Sequence, residues 1–205
     1  MRISELARTA GLSLPTVKYY LRLGLLPAGR AVSATESRYG DQHLRRLRLI
    51  RALRDVVGLP IDRVAAVLSA IDEPSDTAYD TLGRAVGALS TSSPGQPGDE
   101  GPAAGEFPLA RTAIDALGWT YDPEYPAVGQ LQAALAAAAD VGVPMEPDRL
   151  ATMGEHVLAM AEFDLSRMPP EPDAAIEYAV LGTALHEPVL LALRRLAHQH
   201  LAARS

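Results

Sequence analysis

Apolar residues recur every three or four positions along most of the chain, a spacing that predicts helices. In the first seventy residues it predicts four. Leu6 and Ala10 mark the first helix, with Ser4 as its N-cap, and Ser13 caps the second, which continues to about Arg22. The third and fourth carry longer apolar stripes, the third after an N-cap at Asp41: Leu44, Leu47, Ile50, Leu53 and Val57, then Ile61, Val64, Ala65 and Leu68.

A short hairpin, termed the wing, is predicted over residues 30–38. Pro27-Ala28-Gly29 ends the second helix, and small polar residues surround Val32 and Thr35. The first two helices, with a glycine stop at Gly11, are typical of a helix-turn-helix. The second helix would be the one that reads DNA.

The remainder is helical by pattern, with segments near residues 109–117, 128–141, 148–166 and 173–200, the last interrupted at Glu187-Pro188. No strand pattern competes. The expected fold class is mainly α: an N-terminal winged helix-turn-helix with a small β-wing, and a C-terminal α-helical bundle.

Composition divides the chain into four parts. Residues 1–71 form the winged unit, 72–90 a connecting helix, and 106–205 the helical domain. Residues 91–105 are rich in Ser, Gly and Pro and predict a flexible linker. The connecting helix has an a/d seam of under two heptads, which either pairs with a second copy or packs on its own domain: Tyr79, Leu82, Val86 and Leu89.

Charge separates the same two halves. The chain has 19 basic and 25 acidic residues, a net charge of -6. Residues 1–71 carry 12 basic and 5 acidic side chains, a net of +7, and residues 72–205 carry 7 and 20, a net of -13. A basic unit joined to an acidic body indicates a DNA-binding domain coupled to a domain that stays off DNA.

The sequence indicates no metal site, no enzymatic site and no membrane span. The chain has no cysteine, which excludes disulfides and thiolate metal sites, and its five histidines lack metal-ligand spacing, so no metal or other cofactor is expected. We find no nucleophile–base pair and no phosphate loop, so we expect no enzyme. No uncharged apolar run approaches the roughly 18 residues of a membrane span, so we expect a cytoplasmic protein.

Residues 1–71 resemble the MerR family of winged helix-turn-helix transcription regulators, in particular actinobacterial members with an all-helical C-terminal domain. The matching segments keep the family's order and spacing: Arg2-Ile3-Ser4-Glu5-Leu6-Ala7, Thr16-Val17-Lys18-Tyr19-Tyr20, Leu23-Gly24-Leu25-Leu26-Pro27, Arg38-Tyr39-Gly40-Asp41, Leu44-Arg45-Arg46-Leu47, Ile50-Arg51-Ala52-Leu53 and Gly58-Leu59-Pro60-Ile61.

The resemblance implies a homodimer that binds an inverted repeat in double-stranded promoter DNA. Such regulators bend and untwist the promoter so that RNA polymerase can engage it, a deformation that phosphate contacts on both half-sites can offset. A small organic ligand at the C-terminal domain would control this. The alternative is an architectural or accessory DNA-binding protein without an effector.

The DNA-contacting candidates lie on the second helix and around the wing. Lys18 and Arg22 are the leading base-edge or phosphate contacts, and hydroxyls at the helix start suit phosphates. Tyr19 is expected to offer its hydroxyl to a phosphate, whereas Tyr20 is expected to be a core residue whose ring packs beneath the wing while its hydroxyl still reaches the DNA backbone. The full set is Ser13, Thr16, Lys18, Tyr19, Tyr20, Arg22, Arg30, Arg38, Tyr39 and Arg45.

Two features of the C-terminal half remain open. Its aromatic residues either line a pocket for a small, cationic organic ligand or cap the helical bundle: Trp119, Tyr121, Tyr125, Phe163 and Tyr178. The apolar stripe of the last helix, with Leu190 and Leu193, forms either a dimer interface or part of the bundle core.

Overall fold

The computed structural model describes residues 1–33, 36–73, 78–89 and 107–204. The linker prediction, Thr35, and the side chains of Tyr79 and Leu82 lie outside the described residues. Within them the chain is mainly helical, which confirms the expected fold class. The elements are α1 Ile3–Ala10, α2 Leu14–Arg22, β1 Arg30–Ala31, β2 Ser37–Arg38, α3 Asp41–Asp55, α4 Ile61–Asp72, α5 Ala78–Leu89, α6 Pro108–Leu117, α7 Pro126–Asp140, α8 Pro147–Ser166 and α9 Pro172–Ala202.

The chain divides into two compact units. Unit 1 comprises Met1–Ser69 and Ala184–Ser205, and unit 2 comprises Ala70–Thr183. In unit 1, α1 packs against α2 and α3 around fully buried aliphatic side chains. These are the apolar positions of the helical stripes, led by Leu6, Val17, Leu47, Ile50, Leu53, Val64 and Leu68.

Two helix starts differ from the sequence prediction. α1 begins at Ile3 with Arg2 as N-cap, so Ser4 lies inside the helix and caps nothing. The main chain before it is already fixed, because the Met1 amine donates to the Tyr39 carbonyl at 2.7 Å and the Tyr39 N–H donates to the Met1 carbonyl at 2.9 Å. The N-cap of α3 is Gly40 rather than Asp41, and the Gly40 N–H donates to His43 Nδ1 at 3.1 Å.

The wing is a two-stranded antiparallel hairpin, as predicted. Arg30 pairs with Arg38 and Ala31 pairs with Ser37. Gly29 lies where the hairpin closes onto its own base: a Cβ atom there would meet the Arg38 carbonyl oxygen at 2.8 Å and the Tyr39 ring at 2.9 Å. Only glycine permits this close approach of the main chain to the base of the wing.

Unit 2 is built around Ala110, Ile114 and Val128, which are buried at the contact of α6 and α7. The buried Gln132 side chain on α7 accepts hydrogen bonds from the Leu109 and Ala110 N–H groups at 2.9 and 3.1 Å. It thereby satisfies two of the donors that the start of α6 leaves without a helical partner.

The interruption predicted at Glu187-Pro188 is wrong, because α9 runs from Pro172 to Ala202 with Pro188 inside it. A proline removes one N–H donor, but its fixed φ is close to the helical value, so a long helix can continue through it. The segment Ala174–Ala202 is long and apolar enough to cross a membrane by length and composition alone, which is weak evidence for a span.

Candidate nucleic-acid interface

The candidate reading helix α2 presents one buried and one exposed face. Val17 and Tyr20 are buried in unit 1, at 0% and 2% exposure. Lys18, Tyr19 and Arg22 are exposed. The helix is therefore held by its apolar face, and its cationic and hydroxyl groups remain available to a ligand.

The start of α2 is organised by Ser13 and Thr16. The Ser13 hydroxyl accepts from the Thr16 N–H at 3.1 Å and lies 2.7 Å from the Thr16 hydroxyl. This confirms Ser13 as the N-cap. The exposed Ser13 and the half-buried Thr16 thus place two hydroxyl groups at the positive end of the helix dipole, where binding of a phosphate group is favoured.

Tyr19 and Arg22 form a small platform on the exposed face. The Arg22 guanidinium lies 5.8 Å from the centre of the Tyr19 ring, within cation–π range, and one turn along the helix. This contact restrains the long arginine side chain, which reduces the conformational entropy that binding of a ligand at this face would have to remove.

Tyr20 belongs to the core of unit 1. Its ring is buried, and its hydroxyl accepts a hydrogen bond from Arg54 Nη1 on α3 at 3.3 Å. That hydrogen bond raises the pKa of the Arg54 guanidinium above its ordinary value. The ring is therefore packed in the core, as expected, and the hydroxyl contacts Arg54.

The wing concentrates positive charge on one short hairpin. Arg30 and Arg38 are exposed and directly opposite each other on the two strands. Like charges in this position destabilise a hairpin unless an anion lies nearby. Glu36 supplies part of the compensation, with ion pairs to Arg2 at 3.1 Å and to Arg38 at 3.2 Å.

Tyr39 supports the wing from beneath. It is 8% exposed, its ring stacks edge-on against His43 with centroids 5.1 Å apart, and its backbone pairs with Met1. The structure thus places Tyr39 at the base of the wing, with its ring buried against His43.

The arginines of α3 lie in two environments, one exposed and one in contact with the rest of unit 1. Arg45 is exposed. Arg46 donates from Nε to the Leu25 carbonyl at 2.9 Å, and Arg54 contacts Tyr20. Arg46 and Arg54 were missed as structural residues by sequence reasoning, although each lies four positions from the buried Ile50 and therefore beside the core stripe.

The C-terminal aromatic residues do not all lie together. Trp119, Tyr121 and Tyr125 are half-buried and pack against the core of unit 2. Phe163 is 59% exposed on α8, with the Arg167 guanidinium 5.1 Å from its ring centre, and is not part of that cluster. Tyr178 is half-buried on α9.

The candidate dimerisation residues differ in exposure. On α5, Val86 and Leu89 are half-buried, and Gly83 of that helix lies against the Tyr125 ring of α7. Leu190 and Leu193 on α9 are 38% and 59% exposed. In the described part of the chain, no cluster of three or more His, Asp or Glu side chains could hold a metal ion.

The helix pair, the basic wing and the cationic face of α2 define a winged helix-turn-helix protein. Residues 1–71 match the family model described as MerR HTH family regulatory protein. A candidate transcriptional regulator of Streptomyces coelicolor A3(2), SCO5550, superposes with a TM-score of 0.67 and 33% identity, covering 100% of this chain and 97% of that one. The chain belongs to the MerR family.

Curated relatives match the N-terminal unit. A protein of Haemophilus influenzae named a probable heavy metal-dependent transcriptional regulator is 39% identical over 75 residues, 36% of this chain and 57% of that protein. The mercuric resistance operon regulatory protein of Bacillus cereus is 31% identical over 71 residues, 35% of this chain and 53% of that protein. The chain thus spans about half the length of these two relatives.

Proposed function

We propose that this chain is a sequence-specific transcription regulator that binds double-stranded DNA through α2 and the wing. The observation that carries the proposal is the cationic face of α2, with Lys18 and Arg22 exposed opposite the buried Val17 and Tyr20. Tyr19 supplies a hydroxyl group beside Arg22 on this face, and Ser13 and Thr16 supply hydroxyl groups at the start of the helix. Arg30 and Arg38 on the wing, with Arg45 on α3, extend the positive surface.

The regulator acts as a homodimer on an inverted repeat, in the cytoplasm, where it distorts a promoter for RNA polymerase. Family membership supports this part of the proposal, and the charge division supports it physically. The acidic C-terminal half, with a net charge of -13 over residues 72–205, repels DNA, so DNA is confined to the basic unit.

An effector, where one acts, is a small organic molecule received by unit 2. The half-buried rings of Trp119, Tyr121 and Tyr125 are its candidate contacts, although their packing against Ile114 and Val128 leaves only part of each ring accessible. A heavy-metal effector fits this chain poorly, because it has no cysteine to supply the thiolates that soft metals prefer. Titration monitored by the fluorescence of Trp119, the sole tryptophan, tests candidate compounds.

Selection from a randomised duplex pool tests sequence-specific binding and requires no known operator sequence. We expect a two-fold symmetric motif to be enriched, and fluorescence anisotropy at physiological salt to give roughly a hundredfold or greater preference over a scrambled duplex. Equal binding of all duplexes would instead support the architectural alternative.

The substitution K18A tests the reading helix, with R149A as its matched control. Each removes one exposed positive charge, but Arg149 lies on α8 of unit 2. If Lys18 contacts a phosphate, K18A should weaken all duplexes alike and reduce the salt dependence by about one phosphate contact. If it contacts a base, the loss is about 1–3 kcal/mol and specificity relaxes at one position. A folded K18A protein with unchanged affinity contradicts the assignment of α2.

A further inference from the structure

A short buried segment of unit 1 joins the two candidate DNA-contacting elements. Arg22 is the last residue of α2 and Arg30 is the first residue of the wing, eight positions later. The chain between them is packed against the core, because Leu25 and Leu26 are 4% and 1% exposed. We call residues 25–28 the bridging segment. Since the phosphates of a duplex have a fixed spacing, the path of this segment decides whether α2 and the wing contact one duplex together.

Side chains of α3 contact two carbonyl groups of the bridging segment. Arg46 donates from Nε to the Leu25 carbonyl at 2.9 Å, and His43 Nε2 lies 3.5 Å from the Ala28 carbonyl oxygen. His43 and Arg46 are three positions apart, so they are neighbours on one face of α3. One face of a single helix therefore reaches both ends of the bridging segment.

The two ring nitrogens of His43 have different roles. Nδ1 accepts the Gly40 N–H at 3.1 Å, so the neutral ring that makes this bond carries its proton on Nε2 and donates toward Ala28. The distance of 3.5 Å is long for a hydrogen bond, so Arg46 makes the stronger of the two contacts. The same ring stacks edge-on against Tyr39. His43 thus contacts the chain on both sides of the wing, before β1 and after β2.

These contacts act on the main chain at the entry to the wing. A carbonyl group held by a side chain of another element fixes the path of the backbone to which it belongs. Gly29 follows Ala28 directly and lies so close to the Arg38 carbonyl and the Tyr39 ring that no Cβ fits between them. The two strands of the wing are therefore held together at the point where α3 holds the bridging segment.

We propose that His43 and Arg46 are positioning residues for DNA binding, which hold the bridging segment so that α2 and the wing bind one duplex as a single unit. The inference rests on the proposed function in so far as that function assigns DNA contacts to both elements. A binding surface needs such support, because a wing on a loose tether loses conformational freedom when it binds and contributes less affinity.

Hydrogen exchange of backbone amides tests the hold on the bridging segment without DNA. The Leu25 and Leu26 N–H groups both donate to the Tyr20 carbonyl, at 3.0 and 3.3 Å. R46M keeps an unbranched apolar stem and removes the guanidinium. In this variant both amides should exchange at least tenfold faster than in the wild-type protein, because local opening of the segment becomes easier.

Two controls separate a local effect from a general one. The Leu12 N–H, which donates to the Ala7 carbonyl at 2.9 Å after α1, should keep its exchange rate in R46M. R48M removes the same charge from an exposed position of α3, about 200° around the helix from Arg46, and should change none of these rates.

A double-mutant cycle measures the consequence for DNA binding. R30A removes one charged group of the wing and should weaken binding of the selected duplex about tenfold in the wild-type background. In the R46M background R30A should weaken binding less than about threefold, whereas K18A on α2 should keep its full effect. The R48M background should preserve the full effect of both substitutions. A general loss of stability would lower the affinity of R46M without changing either ratio.

H43F gives a second measurement through the other end of the bridging segment. Phenylalanine keeps a flat ring beside Tyr39 but has neither ring nitrogen, so the effect of R30A should again become smaller. Because this substitution acts at Ala28, it tests the inference even where R46M does not fold. Circular dichroism checks the fold of each variant.

Several results overturn the inference. Unchanged exchange of Leu25 and Leu26 in R46M would show that the bridging segment is held without Arg46. A tenfold effect of R30A that persists in both the R46M and H43F backgrounds would show that the wing binds DNA without this support. Faster exchange in R46M together with a wild-type protein that binds no DNA would refute the proposed function, whereas unchanged exchange in a protein that binds DNA refutes the inference alone.

Discussion

The adjacent tyrosines of α2 should separate DNA binding from stability. Removing the Tyr20 hydroxyl as Y20F should destabilise the protein and leave its DNA affinity unchanged. Y19F should weaken DNA binding and leave the stability unchanged. The reason is their environment: the Tyr20 ring is 2% exposed with its hydroxyl on Arg54, whereas Tyr19 is 37% exposed.

The magnitude for Y20F follows from the geometry of one hydrogen bond. Phenylalanine keeps the buried ring, so little packing is lost, and Arg54 is exposed enough to be solvated after the change. The bond length of 3.3 Å is at the long end for N–H···O, so we expect about 1 kcal/mol, from a typical range of roughly 0.5–1.5 kcal/mol. For a domain of 60–100 residues this lowers Tm by about 4–8 °C.

The assay has an internal control because the two units carry different probes. Circular dichroism follows all helices, whereas fluorescence of the single tryptophan, Trp119, reports unit 2. Y20F should shift a dichroism transition and leave the fluorescence transition in place. Y19F should shift neither, but should weaken operator binding roughly tenfold if its hydroxyl donates to a phosphate.

The opposite pairing of effects would refute these two assignments. If Y20F keeps its Tm and loses DNA affinity, the Tyr20 hydroxyl serves DNA and its contact with Arg54 is incidental. If Y19F lowers Tm by several degrees, the exposed face of α2 contributes to the fold, and K18A would no longer be a clean probe of binding.

Two further substitutions test the elements that position these sites. G29A should lower the free energy of unfolding by about 1–3 kcal/mol and weaken DNA binding, because the new Cβ would meet the Arg38 carbonyl oxygen at 2.8 Å. Thermal melts measure the stability and fluorescence anisotropy measures the DNA affinity. A stable G29A protein with full DNA affinity would contradict this account of the wing. Q132A should leave two N–H groups of α6 unsatisfied and lower the stability of unit 2 by about 1–3 kcal/mol, which the Trp119 fluorescence transition measures; an unmoved transition would contradict the capping role.

Helix positions were predictable from the sequence because apolar periodicity is a local property. The stripes of α3 and α4 and the N-cap at Ser13 follow from spacing and residue type alone. The start of α1 was not predictable in this way. It is set by backbone hydrogen bonds between Met1 and Tyr39, which are 38 positions apart, and these overrule the local preference for a cap at Ser4.

The candidate interface shows the same division. Exposure of Lys18 and Arg22 follows from the helical wheel of α2, whose apolar side the sequence identifies. The role of Tyr20 required the tertiary structure, because a tyrosine suits either a core or a phosphate, and only the position of Arg54 on another helix decides where its hydroxyl points. The paired arginines of the wing likewise depend on a register that the surrounding small residues do not specify.

Helix α9 shows that apolar periodicity alone does not distinguish a buried part of a helix from an exposed one. A stripe of leucines has the same pattern whether it lies in a core or at an interface, so Leu190 and Leu193 were compatible with both. The structure separates two parts of this one helix: Val180 and Ala184 are buried, whereas the residues from Val189 to Arg204 are exposed, including Leu191 at 51% on the same face as Val180. Burial therefore differs along the helix and not around it. Periodicity identifies the apolar face of a helix, but not the part of its length that the rest of the chain covers.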